Sequence, residues 1–215
     1  MLTIYGVYRS RALRNIWLLE EMGEPFHHVP VIQNFRAGGA AGVMHSRSPE
    51  FLAISPNGGI PAMQDGALVL SESLAINLHI ARRYGGPLAA VDLAEEGLIA
   101  QWTLFGATEI EPRSIQILYN RVQLPPEQRS EAKVAEAIAA LRTPLAALDA
   151  ALATGFLMGN RFTVADINVA EVVRYVLPAP EVLEAAPRVK AWLAACHARP
   201  AWKKIMARRE AEPAL

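Results

Sequence analysis

Ser55-Pro56-Asn57-Gly58-Gly59-Ile60-Pro61-Ala62-Met63, followed further on by Ser71-Glu72-Ser73-Leu74-Ala75-Ile76, is the stretch on which the fold turns. Pro61 stands between a turn and a β-capable run, where an X-Pro bond is held cis at little cost, and the cis form directs the main chain of the preceding residue toward solvent. An extended peptide can pair with an amide and a carbonyl presented this way. Glu72 and Ser73 open a helix, where free N–H groups and the helix dipole favour a carboxylate while Glu72 can receive an ammonium. Together they suit an amino-acid headgroup. Taken singly, each feature is also an ordinary proline turn or N-cap; their combination and order point to a ligand site.

Upstream, Leu2 to Tyr5 is a short β-capable run ending at Gly6, and Ala12, Leu13, Ile16, Trp17 and Leu19 repeat at helical spacing up to Gly23. Phe26 to Val31 reads as a second strand whose Pro30 marks an edge or a turn. Residues 32 to 47, with Gly38, Gly39 and Gly42, lack periodicity and read as a flexible loop before Ser48-Pro49-Glu50 opens a short helix. Met63 and Leu68 to Leu70 supply two strands around the Gln64-Asp65-Gly66 turn, and Ser71 to Tyr84 is helical up to Gly85-Gly86-Pro87. The order βαβ, then α, ββ and α, builds a small mixed sheet flanked by helices.

Beyond residue 91 the strand signals vanish. Asp92 and Glu95 stand at capping-box spacing before a helix running to about Val122. A second helix covers roughly Glu127 to Ala153, and a third opens at the T-x-x-D box of Thr163 and Asp166, with Phe162 and Ile167 at hydrophobic-staple positions. Pro187 and Pro200 mark two more helix starts. The domains read as 1–85, mixed α/β, and 92–215, all α.

Lys plus Arg and Asp plus Glu are equal at 21 each, so no global field favours nucleic acid or an anionic membrane. Charges or Gly/Pro interrupt every apolar run before the roughly eighteen residues a bilayer span needs, and no signal peptide is apparent. A cytoplasmic protein is expected. The single cysteine, Cys196, excludes an internal disulfide, and the His27-His28 pair lacks companion ligands, so no metal is expected.

These motifs resemble the cytosolic, bacterial-type glutathione transferases, in which a thioredoxin-like domain precedes an all-helical domain. Leu2-Thr3-Ile4-Tyr5-Gly6 and the run from Ser10 to Glu21 match the family's opening, and the Thr163 to Asp166 box matches its helix cap, so the resemblance spans nearly the whole chain. It implies that Ile60 offers main-chain bonds to the cysteinyl part of glutathione with Pro61 cis, and that Glu72 and Ser73 hold the γ-glutamyl end. Gly59 stands where many relatives carry a long polar side chain and offers only backbone, so the glycyl end is expected to be held differently. Glutathione is then a co-substrate, with no permanently bound cofactor.

Catalysis in the family depends on activating the glutathione thiol, which at a pKa of about 8.5 stays mostly protonated near neutrality. Ser10 resembles a serine-type position, where a hydroxyl and a helix N-terminus both favour negative sulfur. Tyr5 resembles the tyrosine-type position, and Tyr8 in the same loop is a third candidate. Ser10 is equally readable as a plain N-cap and Tyr5 as a half-buried strand aromatic. Trp102, Phe105, Glu109 and Tyr119 are expected to contribute an electrophile pocket between the domains, although helical aromatics commonly pack inward. Arg113 is read as a partner for Glu109 or Glu111 or as a solvated charge, and the Pro112 run as a kink or an end of the helix. The activity implied is conjugation of glutathione to a small hydrophobic electrophile, in a homodimer in which Phe51 either docks into the partner's second domain or packs under its own loop. The alternatives are glutathione-dependent peroxide reduction and a non-catalytic glutathione-binding protein.

Overall fold

The computed structural model describes residues 1–38 and 42–213; Gly39, read as part of the loop after the second strand, lies outside them. The described chain divides into two compact units, one comprising residues 1–86 together with the chain from Arg199 on, the other Pro87–Ala198.

The first unit is built on a four-stranded sheet of order β2-β1-β3-β4, with β1 at Thr3–Tyr5, β2 at His27–Val29, β3 at Ala62–Asp65 and β4 at Leu68–Ser71. β1 runs parallel to β2 and antiparallel to β3, which pairs antiparallel with β4. Helix α1 (Ala12–Met22) connects the parallel pair and buries Leu13, Ile16, Trp17 and Leu19. It stops at Gly23, whose φ of 69° is the left-handed conformation that a glycine adopts without steric cost. Helix α2 (Pro49–Leu52) is one turn, and α3 (Ser73–Tyr84) packs beside α1.

The segment read as a flexible loop is partly ordered. Ile32 bridges His45, the Ile32 amide donates to the Met44 carbonyl at 3.1 Å, and Ile32 and Ala37 bury themselves with Val7. Its apolar residues meet across the loop rather than along a helix or strand, so no periodicity announces them. Phe51 is also placed otherwise than expected: it is fully buried with Val31 and Ala62, its ring centroid 6.3 Å from that of Tyr5. A ring spent in its own core cannot dock into a partner.

In the second unit, α4 (Leu93–Phe105) and α5 (Glu111–Leu118) are joined through a wide, π-helical turn at Gly106–Ile110, and a second such turn occupies Tyr119–Gln123. Helical backbone therefore continues to Gln123. Pro112 bends the ladder without ending it: it lacks an N–H, and the Arg113 guanidinium donates to the carbonyl oxygens of Thr108 and Glu109. Helices α6 (Glu131–Ala151), α7 (Val164–Val173), α8 (Pro180–Glu184) and α9 (Pro187–Ala198) complete the unit. Every residue of α7 is buried. Its capping box is complete, and the Asp166 carboxylate accepts from Thr163 N and Oγ1, Leu157 N and Trp192 Nε1 at 2.8 to 3.2 Å. Burial pushes the Asp166 carboxyl up, against the opposing pull of those four donors.

By length and composition alone, residues Glu131–Thr154 form a helix apolar enough to cross a membrane, although Arg142, Pro144 and Asp149 interrupt its apolar run. Much of that hydropathy is alanine, and Val134, Leu141, Leu145 and Leu148 are buried where α6 meets α5 and α9.

The last helix, α10 (Pro200–Ala211), joins the first unit and not the helical one, so the 92–215 boundary parts from the packing. Trp202 lies against Trp17 with ring centroids 4.7 Å apart. Arg199 forks onto Glu21 with two bonds of 2.8 Å, and Lys204 and Arg208 both reach Glu20. Composition records a helix; it does not record the neighbour.

Candidate functional site

Pairing of Ala62 with Ser71 across β3 and β4 brings the turn before β3 beside the start of α3. The Ile60–Pro61 bond is cis. The Ile60 main chain enters no hydrogen bond with the described residues, which leaves an amide and a carbonyl for an extended ligand. Across from it Glu72 holds φ at 70°, a conformation that costs a non-glycine residue of order 1–3 kcal/mol and persists where its surroundings impose it. Its side chain is exposed and Ser73 is buried.

Ser73 is fixed from behind. Its hydroxyl accepts from Arg14 Nη1 at 3.1 Å and its carbonyl from Asn15 Nδ2 at 2.8 Å, while the same Asn15 nitrogen lies 2.7 Å from Asn77 Oδ1. Arg14, Asn15 and Asn77 are at most 1% exposed. No motif in the sequence announces this trio. The signal available was polar residues at 14 and 15 inside an otherwise apolar helical face, and at 77 one turn into α3.

Gly6 explains how the first loop reaches the cis-proline turn. A Cβ on Gly6, at φ 146°, would lie 2.6 Å from Ala12 Cβ and 2.8 Å from Ile60 Cγ2, so only glycine lets the two segments close. Ser10 Oγ is 3.4 Å from that same point, so Ser10 and Ile60 border the same side of Gly6. Its hydrogen is directed at the Val7 carbonyl, 2.7 Å away, and its oxygen accepts from the Ala12 amide at 3.1 Å. A rotation of the side chain is needed before it can donate elsewhere. Tyr5 donates to Gln64 Oε1 at 3.1 Å and packs on Phe51, as a strand aromatic does. Tyr8 Oη accepts from Arg208 Nη1 at 3.2 Å, and its ring stands edge-on to His28 at 5.2 Å. His28 Nε2 carries the hydrogen toward the Gly6 carbonyl, 2.7 Å away, because a carbonyl can only accept.

Comparison with known proteins identifies the family of the chain. Residues 9–83 match the family described as glutathione S-transferase, N-terminal domain, and residues 110–200 its C-terminal domain. A glutathione S-transferase of Hyoscyamus muticus is 31% identical over 94% of this chain and 96% of its own, and glutathione S-transferase 3 of Zea mays is 33% identical over 96% and 93%. The chain belongs to the glutathione S-transferase family. Among solved structures, the theta class glutathione S-transferase of Xanthomonas axonopodis pv. citri, with glutathione bound, superposes with a TM-score of 0.79 at 30% identity, covering 94% of this chain and 95% of that one. The mixed four-stranded domain followed by a helical domain is thus the glutathione S-transferase fold, and the protein is an enzyme of the glutathione transferase type.

For a glutathione S-transferase, the residues expected to meet the electrophile lie on the helices of the second unit. Trp102 and Phe105 come together edge-on, with centroids 5.4 Å apart, and both are half-buried. Glu109 is exposed and pairs with Arg113 at 3.2 Å, which resolves the choice left open between Glu109 and Glu111. Tyr119 opens the second wide turn and is 37% exposed. The structure therefore joins the two aromatics and gives Glu109 a structural partner. Cys196 is buried in α9. Among the described residues no group of three or more His, Cys, Asp or Glu could hold a metal ion.

Proposed function

We propose that this enzyme binds glutathione along the Ile60–Pro61 turn and the start of α3, stabilises its thiolate with the Ser10 hydroxyl, and directs it at a small hydrophobic electrophile. The observation that carries the reading is the unpaired Ile60 main chain on a cis-proline turn beside Glu72 and Ser73. Ile60 pairs with the cysteinyl backbone, Glu72 receives the γ-glutamyl ammonium, and Ser73 and the α3 N-terminus take the carboxylate. Ser10 is favoured over Tyr5 and Tyr8 because it stands at the entrance of α1 and borders the same side of Gly6 as Ile60, whereas Tyr5 donates to Gln64 and Tyr8 is held by Arg208. Trp102, Phe105 and Tyr119 supply apolar surface for the electrophile; Glu109 borders it.

Calorimetric titration with glutathione, followed by turnover over a panel of electrophiles and with hydroperoxides, tests this reading. Binding with conjugation is the expected result, and binding without turnover overturns it in favour of a glutathione-binding protein. Glutathione is a co-substrate in this scheme, the enzyme needs no resident cofactor, and it works in the cytoplasm.

A homodimer is part of the proposal, on surfaces other than Phe51. Leu93, Leu98 and Leu104 are 48% to 82% exposed on α4, and the edge strand β4 leaves Leu68 and Val69 at least 40% exposed. Apolar groups on an edge strand invite pairing or cover. Light scattering at micromolar concentration is expected to give about twice the chain mass of 23.4 kDa. A monomer there would refute the dimer.

A further inference from the structure

Tyr8 and Arg9 are the two central residues of a β-turn closed by the Ser10 amide donating to the Val7 carbonyl at 3.0 Å. In such a turn the two central N–H groups have no partner within the turn, and successive amides of this kind form a concave site for an anion. Here the anion comes from the other end of the chain. Glu212 Oε1 accepts from Tyr8 N and Glu212 Oε2 from Arg9 N, both at 2.9 Å. One carboxylate thereby spans both amides. Arg208, one turn back on α10, donates to the Tyr8 hydroxyl, so the same helix end holds the loop by main chain and by side chain. Helix α10 is itself anchored on α1 through Glu20, Glu21 and the Trp17–Trp202 contact.

We propose that Glu212 is a positioning residue for thiol activation: it clamps the Val7–Ser10 turn so that the Ser10 hydroxyl stays within reach of a thiolate bound at Ile60. This rests on the reading of Ser10 as the thiolate donor. Ser10 is the closing residue of the turn, and its Oγ and N share the Val7 carbonyl. If the turn rolls, both bonds move together and Oγ leaves the Ile60 side. Among the described residues the Glu212 carboxylate bonds to the Tyr8 and Arg9 amides and not to Ile60, Glu72 or Ser73, so it acts on the position of the donor and not on peptide binding.

The test is Glu212→Ala and Glu212→Gln in the full chain, with Glu210→Gln, an exposed change on the same helix, as the control. The thiolate absorbance of bound glutathione is titrated against pH. Its midpoint is expected to rise in Glu212→Ala, with kcat falling between about 10- and 100-fold, as for a small misplacement of a reacting group, while KM for glutathione stays within about twofold. Glu212→Gln keeps one acceptor oxygen for two amides and should fall between. A folded Glu212→Ala with unchanged midpoint and kcat overturns the proposal. Amide hydrogen exchange at Tyr8 and Arg9 adds a readout independent of turnover: both amides should exchange slowly in the wild type and faster in Glu212→Gln, even if the alanine variant fails to fold. Slow exchange that survives the substitution overturns the clamp whatever the fate of Ser10. Accelerated exchange combined with an unmoved midpoint in Ser10→Ala instead overturns Ser10 as the donor, and the catalytic half of the proposal with it.

Discussion

The starts of α1 and α7 solve the same local problem in opposite ways. Each has a hydroxyl residue just before the helix, Ser10 and Thr163, and each recruits a carboxylate to amides at the helix entrance. At α7 the carboxylate is three residues away, its four donors are all internal, and Thr163 and Asp166 are 0% exposed. At α1 the carboxylate is Glu212, some two hundred residues along the chain, and Tyr8, Arg9 and Ser10 remain half-buried. A sealed cap spends every polar group on stability. The open one has its backbone held from outside, which leaves hydroxyls at a surface where a ligand can meet them.

Asp166→Ala should break the sealed side most. Removing the carboxylate leaves several buried donors without a partner, each costing about 1–3 kcal/mol, so a loss of roughly 4 kcal/mol is expected in denaturant unfolding. Glutathione affinity of the folded fraction should match wild type. A large affinity loss with an unchanged melting temperature would mean that the cap belongs to the site.

His197 extends the comparison within the helical unit. Burial, aided by Arg174, holds the imidazole down to about 4 from its ordinary 6.5, with Glu171 pulling the other way. The unfolded chain takes up this proton near 6.5 and the folded one only near 4, so stability falls as pH drops through that window and is unaffected above it. The contribution reaches roughly 3 kcal/mol. His197→Gln should flatten this part of the stability profile between pH 6.5 and 4. An unchanged slope would assign it to another group.

Ser10→Ala probes the open side. Loss of one preorganised donor costs on the order of 10²-fold in rate, whereas loss of a cap costs about 1 kcal/mol of stability and leaves turnover per folded molecule nearly intact. The thiolate midpoint should rise in Ser10→Ala and hold in Tyr5→Phe. A rise confined to Tyr8→Phe would move the donor to the residue that Arg208 holds.

The smallest expected effect is at Gly59. A Cβ there meets nothing within 4 Å and the backbone is not in the left-handed region, so the fold does not demand glycine. Gly59→Gln should leave the melting temperature unchanged and tighten glutathione binding by about 1 kcal/mol, the worth of one added hydrogen bond. No gain would place the glycyl end elsewhere.

Most of the fold was legible because it rests on short-range physics. Helical spacing from Ala12 to Leu19, the stop at Gly23, the T-x-x-D box and the prolines at 187 and 200 act within a few residues, and the corresponding helices lie where those signals put them. The cis-proline turn and the start of α3 were legible for the same reason: X-Pro chemistry and the orphan amides of a helix N-terminus are local. The buried Arg14–Asn15–Asn77 support is not local, since it follows from how α1 lies against α3. The burial of Phe51 beneath its own sheet and the assignment of α10 to the first unit also depend on which surfaces meet. What the sequence determined on its own was most of the elements, though not α8 or the division between α4 and α5, together with the turn and the helix start proposed to hold a peptide, because hydrogen-bond propensities and hydrophobic periodicity are carried by neighbours in the chain. Tertiary structure alone decided which carboxylate holds the first loop, because Glu212 and Tyr8 are joined only when α10 folds back on α1.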